Sequence, residues 1–223
     1  LNTPPLAGRA RVAKAGAAKA TATKAAKAAK AAPGQVRIIG GQWKRSRLPV
    51  AARPGLRPTP DRVRETLFNW LGQDLHGRHC LDAFAGSGAL GLEAASRHAA
   101  QVLLVERDPG LCRQLQAHAQ RLQAGNVRIQ CGDGLAALRA PCAQQPQGWD
   151  VVFLDPPYAA GLDESALQLA RRALTPDGWL YWESGREWGQ AELAELGWQR
   201  RHYLRAGQVH AHLLALASVG AEA

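Results

Sequence analysis

Apolar and polar positions change their spacing along this chain. Residues 7–34, "AGRARVAKAGAAKATATKAAKAAKAAPG", repeat alanine and lysine and hold no large apolar side chain beyond Val12. Such a stretch cannot bury enough surface to offset the entropy of ordering it, so residues 1–34 are expected to form a tail, disordered or transiently helical. From Val36, "VRIIGGQWKRSRLPV" places two short apolar pieces around a Gly-Gly turn, the pattern of a β-hairpin. After a connection rich in proline and glycine, "TPDRVRETLFNWL" sets Val63, Leu67, Trp70 and Leu71 on one helical face. Thr59 can cap that helix and Pro60 suits its first turn.

The remainder alternates short apolar runs with amphipathic stretches. Strands are expected at 79–84, 101–106, 127–131, 150–155 and 178–184, with helical segments such as "GALGLEAASRH", "PGLCRQLQAHAQRLQ" and "DESALQLARRAL" between the first five. This alternation predicts an α/β fold, a Rossmann-like, mostly parallel sheet that takes ligands at the carboxyl ends of its strands. Two late strands, near 197–204 and 208–216, follow each other too closely for a crossover helix and should make an antiparallel hairpin at one edge. The expected organisation is a tail (1–34), a hairpin-and-helix extension (35–72) and a main domain (73–218).

Charge divides the chain the same way. Residues 1–64 carry 15 Lys/Arg against the single acid Asp61, while residues 65–223 carry 13 against 17, and no lysine follows Lys44. A basic front on an acidic body suggests a polyanionic partner, nucleic acid before membrane, because no apolar face accompanies the charge. Arg37, Lys44, Arg45 and Arg47 beside Trp43 in the hairpin suit a nucleic-acid contact. The alternative is a solvated basic tail that aids solubility. A mitochondrial presequence has similar composition but would carry a matching apolar face. Cys80, Cys112, Cys131 and Cys142 show neither C-x-x-C spacing nor a histidine at ligand distance in sequence, so reduced thiols and no metal are expected. His210 and His212 would share a strand face, as ordinary packing or surface residues. With no long apolar run, a cytoplasmic protein without membrane association is expected.

Candidate chemistry gathers at the ends of the predicted strands. The first runs into "DAFAGSGALG", whose Gly86, Gly88 and Gly91 tighten a turn ahead of a helix N-terminus. Glu106 ends the second strand twenty residues after Gly86, where a carboxylate can accept both hydroxyls of a ribose. Asp133, in "CGDGL", is placed to accept from an adenine amino group. Dinucleotides and S-adenosylmethionine share this plan. Asp82, four residues before the first glycine, suits a cofactor carrying an ammonium and a sulfonium better than a pyrophosphate. The fourth strand ends in "FLDPPY". An exocyclic amine on a base must pyramidalise before it attacks a methyl group, and two acceptors aimed at its hydrogens favour that change. Asp155 supplies one and the carbonyl of Pro156 the other. Pro157 stiffens the loop, and Tyr158 offers a stacking surface.

With these motifs the chain resembles a class I S-adenosylmethionine-dependent methyltransferase. More narrowly, "VRIIGGQWKRSRLPV", "GLRPTPDRVRETLFNWL" and "LDAFAGSGALGLEAASRHAAQVLLVERD" resemble the RsmD family of bacterial 16S ribosomal RNA guanine-N2 methyltransferases, over residues 36 to about 216. The resemblance implies that Gly86 and Gly88 flank the methionine part of the cofactor, Glu106 its ribose and Asp133 its adenine, with Arg57 and Thr59 of "LRPT" closing over it. It implies Asp155, Pro156 and Tyr158 as the acceptor site. It also implies 16S rRNA in the small ribosomal subunit as partner, and a monomer is expected. Two other readings stay open: a DNA adenine-N6 methyltransferase, which would normally carry a separate target-recognition region, and a non-enzymatic RNA-binding or assembly factor built on a methyltransferase scaffold.

Overall fold

The computed structural model describes residues 34–51, 58–140, 146–157 and 161–217. These all belong to one compact unit. Expectations for the tail through residue 33, and for Arg57, Cys142 and Tyr158, lie outside the described residues.

The N-terminal pair is β1 (Gly34–Arg37) and β2 (Arg47–Val50), antiparallel with Val36 opposite Leu48 and Arg37 opposite Arg47. Gly34, the last residue assigned to the tail, is therefore already in a strand. The turn between them lies against the main domain. Gly41 has φ +71°, and a Cβ on it would stand 1.8 Å from the carbonyl oxygen of Ser96, so the turn can approach only because that atom is missing.

Helix α1 (Asp61–Trp70) buries Val63, Leu67 and Phe68, while Trp70 and Leu71 are half-buried. Its start departs from expectation. Pro60 occupies the cap position and no side chain caps the helix, because the Thr59 hydroxyl is turned inward to a carboxylate instead.

The main sheet comprises β3 (His79–Asp82), β4 (Gln101–Glu106), β5 (Val127–Cys131), β6 (Trp149–Leu154), β7 (Leu174–Ser184), β8 (Trp198–Ala206) and β9 (Val209–Leu216). Their order is β5-β4-β3-β6-β7-β9-β8. The first five are mutually parallel; β9 runs antiparallel to β7, and β8 antiparallel to β9, as the close spacing of the last two predicts. β7 starts four residues earlier than the expected 178. Leu174 already pairs with Trp149, and a register shift between Trp149 and Val151 absorbs the turn-like "TPDG".

The other helices are α2 (Ala89–Ser96), α3 (Pro109–Arg121), α4 (Gly134–Arg139), α5 (Asp163–Ala173) and α6 (Gln190–Glu195). Two cores form, one on each face of the sheet. Cys80, Val102, Leu104, Val151 and Phe153 pack with Leu67, Phe68, Leu92 and Leu115 from α1, α2 and α3. Leu81, Val152, Leu154 and Leu180 pack with Leu138, Leu167 and Leu193 from α4, α5 and α6. Successive strand residues serve opposite cores, which is why β6 is apolar at every position from Val151 to Leu154. Each large side chain in it contributes about 1.5–3 kcal/mol of burial, anchoring the strand that carries the "DPPY" loop.

Candidate active site

The parallel strands bring their carboxyl ends, and the acids just there, to one edge of the sheet. β3 ends at Asp82 and β4 at Glu106; Asp155 follows β6, and Glu183 lies on the neighbouring β7. Leu154 pairs with Trp182, so Asp155 and Glu183 come next on adjacent strands.

Asp82 is 2% exposed. Its Oδ2 accepts from the backbone N–H of Gly91 at 3.0 Å, in the first turn of α2. Burial pushes its carboxyl up to about 7; the Gly91 bond opposes the shift, and the charges of Glu106 and Glu183 add to it. Glu106 braces the glycine loop. Its Oε2 accepts from Gly86 N–H at 2.9 Å and its Oε1 from Asp108 N–H at 2.8 Å. Gly88, at φ +79°, is the left-handed residue from which α2 starts. Asp133 stands at the start of α4, where its Oδ1 accepts from Ala136 N–H at 2.7 Å; the side chain is otherwise exposed. Glu106 and Asp133 thus both organise backbone at the carboxyl edge of the sheet.

Asp155 is half-buried and Pro156 buried. The Asp155 carboxyl is held well above the usual range by burial, and further by the charges of Glu183 and Asp82. Glu183, 2% exposed, was not anticipated from the sequence. Its Oε1 accepts from the Thr59 hydroxyl and from the Tyr181 hydroxyl, each at 2.8 Å. Burial raises its carboxyl too, and the two hydroxyls moderate the rise. A signal for it existed: Glu183 ends an apolar run, "WLYWES", as Asp82, Glu106 and Asp155 do.

The hairpin side is organised by a second network, also unanticipated. Glu93 of α2 is fully buried and accepts from Ile39 N–H (2.8 Å), Gly40 N–H (2.7 Å), Arg64 Nη1 (3.2 Å) and Arg97 Nε (2.9 Å). Arg64, 1% exposed, also donates to the carbonyl oxygens of Thr59 and Arg37. Arg97 lies 4.7 Å over the Phe68 ring. A lone acid in the apolar stretch "LGLEAAS", and an arginine on the same side of α1 as Leu67 and Phe68, were the available signals.

Of the cations expected to meet nucleic acid, Lys44, Arg45 and Arg47 are exposed around the hairpin turn. Arg37 is also exposed but paired with Asp61 at 2.8 Å. Trp43 is half-buried against the core, with its backbone N–H on Ser96 Oγ at 3.0 Å. The two histidines behave as packing residues. His212 is fully buried, its ring held down to about 4 by burial, and its Nε2 accepts from Trp188 N–H at 3.3 Å. His210 meets the Tyr203 hydroxyl at 2.7 Å.

A parallel sheet with a glycine turn after its first main strand, acids at successive strand ends and an antiparallel terminal hairpin defines a class I methyltransferase fold. Comparison with known proteins narrows the class. The family model "Conserved hypothetical protein 95" matches residues 36–215. Ribosomal RNA small subunit methyltransferase D of Escherichia coli K12 is 50% identical over 147 residues, 66% of this chain and 70% of that protein. Its Haemophilus influenzae counterpart is 43% identical over 160 residues, 70% of this chain and 82% of that protein. The solved structure of yhhF, a candidate methyltransferase from Escherichia coli, superposes with a TM-score of 0.69 at 43% identity, covering 82% of this chain and 99% of that one. The chain belongs to the RsmD family of methyltransferases.

Proposed function

We propose that this protein transfers a methyl group from S-adenosylmethionine to the exocyclic N2 amine of a guanine in 16S rRNA of the small ribosomal subunit. The observation that carries the reading is the gathering of Asp82, Asp155 and Glu183 at the carboxyl edge of the sheet, the first and last 2% exposed and Asp155 half-buried, with no ion pair to a cation among the described residues. Buried, unneutralised carboxylates call for a positively charged ligand. A cofactor with an ammonium and a sulfonium fits that donor set, and its sulfonium would supply an activated methyl group. The names of the relatives, which specify small-subunit ribosomal RNA, support the choice of substrate.

The residues take distinct parts. Gly86 and Gly88 let the loop lie close to the methionine portion, Asp82 faces the ammonium, Glu106 takes the ribose hydroxyls, and Asp133 takes the adenine amine. Arg57 and Thr59 close the pocket from the N-terminal side. Asp155 and the Pro156 carbonyl accept the two hydrogens of the guanine amine, turning its lone pair toward the methyl carbon. Tyr158 stacks on the base. Residues 35–72 form the RNA-contacting extension, with Arg37, Lys44, Arg45 and Arg47 on phosphates beside Trp43, and residues 73–218 the catalytic domain.

The test is tritiated methyl transfer to small subunits from cells lacking this protein, followed by nucleoside analysis. Label in N2-methylguanosine is expected; label in an adenosine, or binding of the cofactor with no transfer to any RNA, would overturn the reading.

A further inference from the structure

Glu183 has no role in that account, yet it is among the most buried acids of the site. Its surroundings are specific. Thr59, ahead of α1, and Tyr181, on the same face of β7, both give it hydroxyl hydrogens. Asp155 stands beside it, one step beyond the paired Leu154 and Trp182, while Asp82 ends β3 and Glu106 ends β4 at the same edge of the sheet. β9 places Ala211 opposite Glu183, while its histidines are engaged elsewhere: the His212 ring packs on Trp182 and His210 on Tyr203. Arg64 lies behind Thr59, on its carbonyl oxygen, and is itself met by Glu93 and Asp61. Among the described residues, the groups facing Glu183 are therefore hydroxyls and acids.

Two such carboxyls on adjacent strands cannot both be charged at low cost without a counter-ion. We infer that Asp155 and Glu183 form a pair that holds one proton when no cofactor is bound and releases it to solvent when the cationic sulfonium is seated. This rests on the cofactor reading above. Cofactor binding then does more than deliver a methyl group, because it turns Asp155 into the full acceptor that the guanine amine needs. During transfer the sulfur–carbon bond breaks with its electrons left on sulfur, and the N2 lone pair forms the new bond. The proton then lost from N2 returns to the Asp155–Glu183 pair, so the complex with the neutral thioether product is again protonated. Raised carboxyls at both positions, caused first by burial, agree with this cycle.

The sign follows from linkage. A ligand that binds the deprotonated pair gains affinity as pH rises, up to about tenfold per pH unit below the pair's raised pKa, and levels off above it. S-adenosylmethionine should show this at pH values above the ordinary carboxylate range, because both carboxyls are raised. S-adenosylhomocysteine carries the same ammonium but no sulfonium, so any proton released by Asp82 is common to both ligands. Their ratio of affinities isolates the pair.

Calorimetry of the full-length protein, in buffers of differing ionisation enthalpy, should show about one more proton released on binding S-adenosylmethionine than S-adenosylhomocysteine. Glu183→Gln keeps an acceptor for Thr59 and Tyr181 while removing the second acid, and should abolish most of that difference. Equal proton release with both ligands overturns the inference, as does a folded Glu183→Gln protein that keeps the full difference. If that variant does not fold, the wild-type comparison decides alone. No saturable binding of either ligand, by calorimetry and by equilibrium dialysis, overturns the cofactor reading and this inference with it.

Discussion

At the hairpin junction, Glu93 is fully buried and receives two backbone N–H groups and two guanidinium groups, whereas at the sheet edge Glu183 is almost as buried and receives two hydroxyls. The difference is one of neutralisation. Around Glu93 the opposing charges and donors belong to the fold, so the cluster works as a clamp between the hairpin, α1 and α2. Around Glu183, Asp155 and Asp82 the cations of the described residues are turned elsewhere, leaving a deficit that a ligand can fill. Removing one partner from a matched buried network strands the others, and removing one acid from an unmatched cluster relieves repulsion. Stability should therefore fall in the first case and activity in the second.

The largest effect is expected at the clamp. Glu93→Ala leaves Arg97 buried without its acid and Arg64 with only the partly exposed Asp61, and should cost about 3–5 kcal/mol of stability, measured by urea denaturation. A loss under about 1 kcal/mol would mean that the two clusters do not differ as described. Next comes Asp155→Ala, expected to reduce single-turnover methyl transfer by about a hundredfold or more with little loss of stability. Asp155→Asn keeps a carbonyl acceptor and should lose less, while wild-type turnover in the alanine variant would remove Asp155 from the chemistry.

Glu106 lies between the two types, since its carboxylate braces the glycine loop and is also the group we propose for the cofactor's ribose. Glu106→Ala should weaken S-adenosylmethionine binding by about 1–3 kcal/mol, and unchanged affinity in a folded variant would leave it only the bracing role. Per pH unit, the smallest expected effect is a pH slope. Because the folded-state carboxyl of Asp82 is raised from 3.8 to about 7, the native state binds more protons than the unfolded chain, and its contribution to stability falls as pH rises through that window. Asp82→Asn should thus gain on wild type by about 1 kcal/mol for each pH unit across the window, read from denaturation midpoints. His212, held down to about 4, acts in the opposite sense, favouring the fold as pH rises from about 4 toward 6.5. A constant offset between Asp82→Asn and wild type would show that Asp82 is ionised throughout.

Local pattern carried much of this in the sequence. The alternation of "HCLD", "QVLLVE", "VRIQC" and "WDVVFL" with helical stretches determined the parallel sheet: its central strands, covered on both faces, are mostly apolar, while β5 at the edge keeps Arg128 and Gln130 exposed. The close spacing of β8 and β9 required an antiparallel pair, and "DAFAGSG" and "DPP" marked the turns by backbone chemistry that few residues other than glycine and proline can supply. Short helices α4 and α6, six residues each, gave too little periodicity to detect.

Tertiary structure alone decided which charges are partnered. Thr59 is a sound helix cap by local rules, yet Glu183, 124 residues away, takes its hydroxyl. Arg64 and Glu93 read as ordinary helix-surface charges until α1, α2 and the hairpin close on one another. Secondary structure depends on neighbours in sequence, so a pattern reveals it. The charge state and task of a buried acid depend on whatever the fold places within a few ångströms, and that follows from packing over the whole chain.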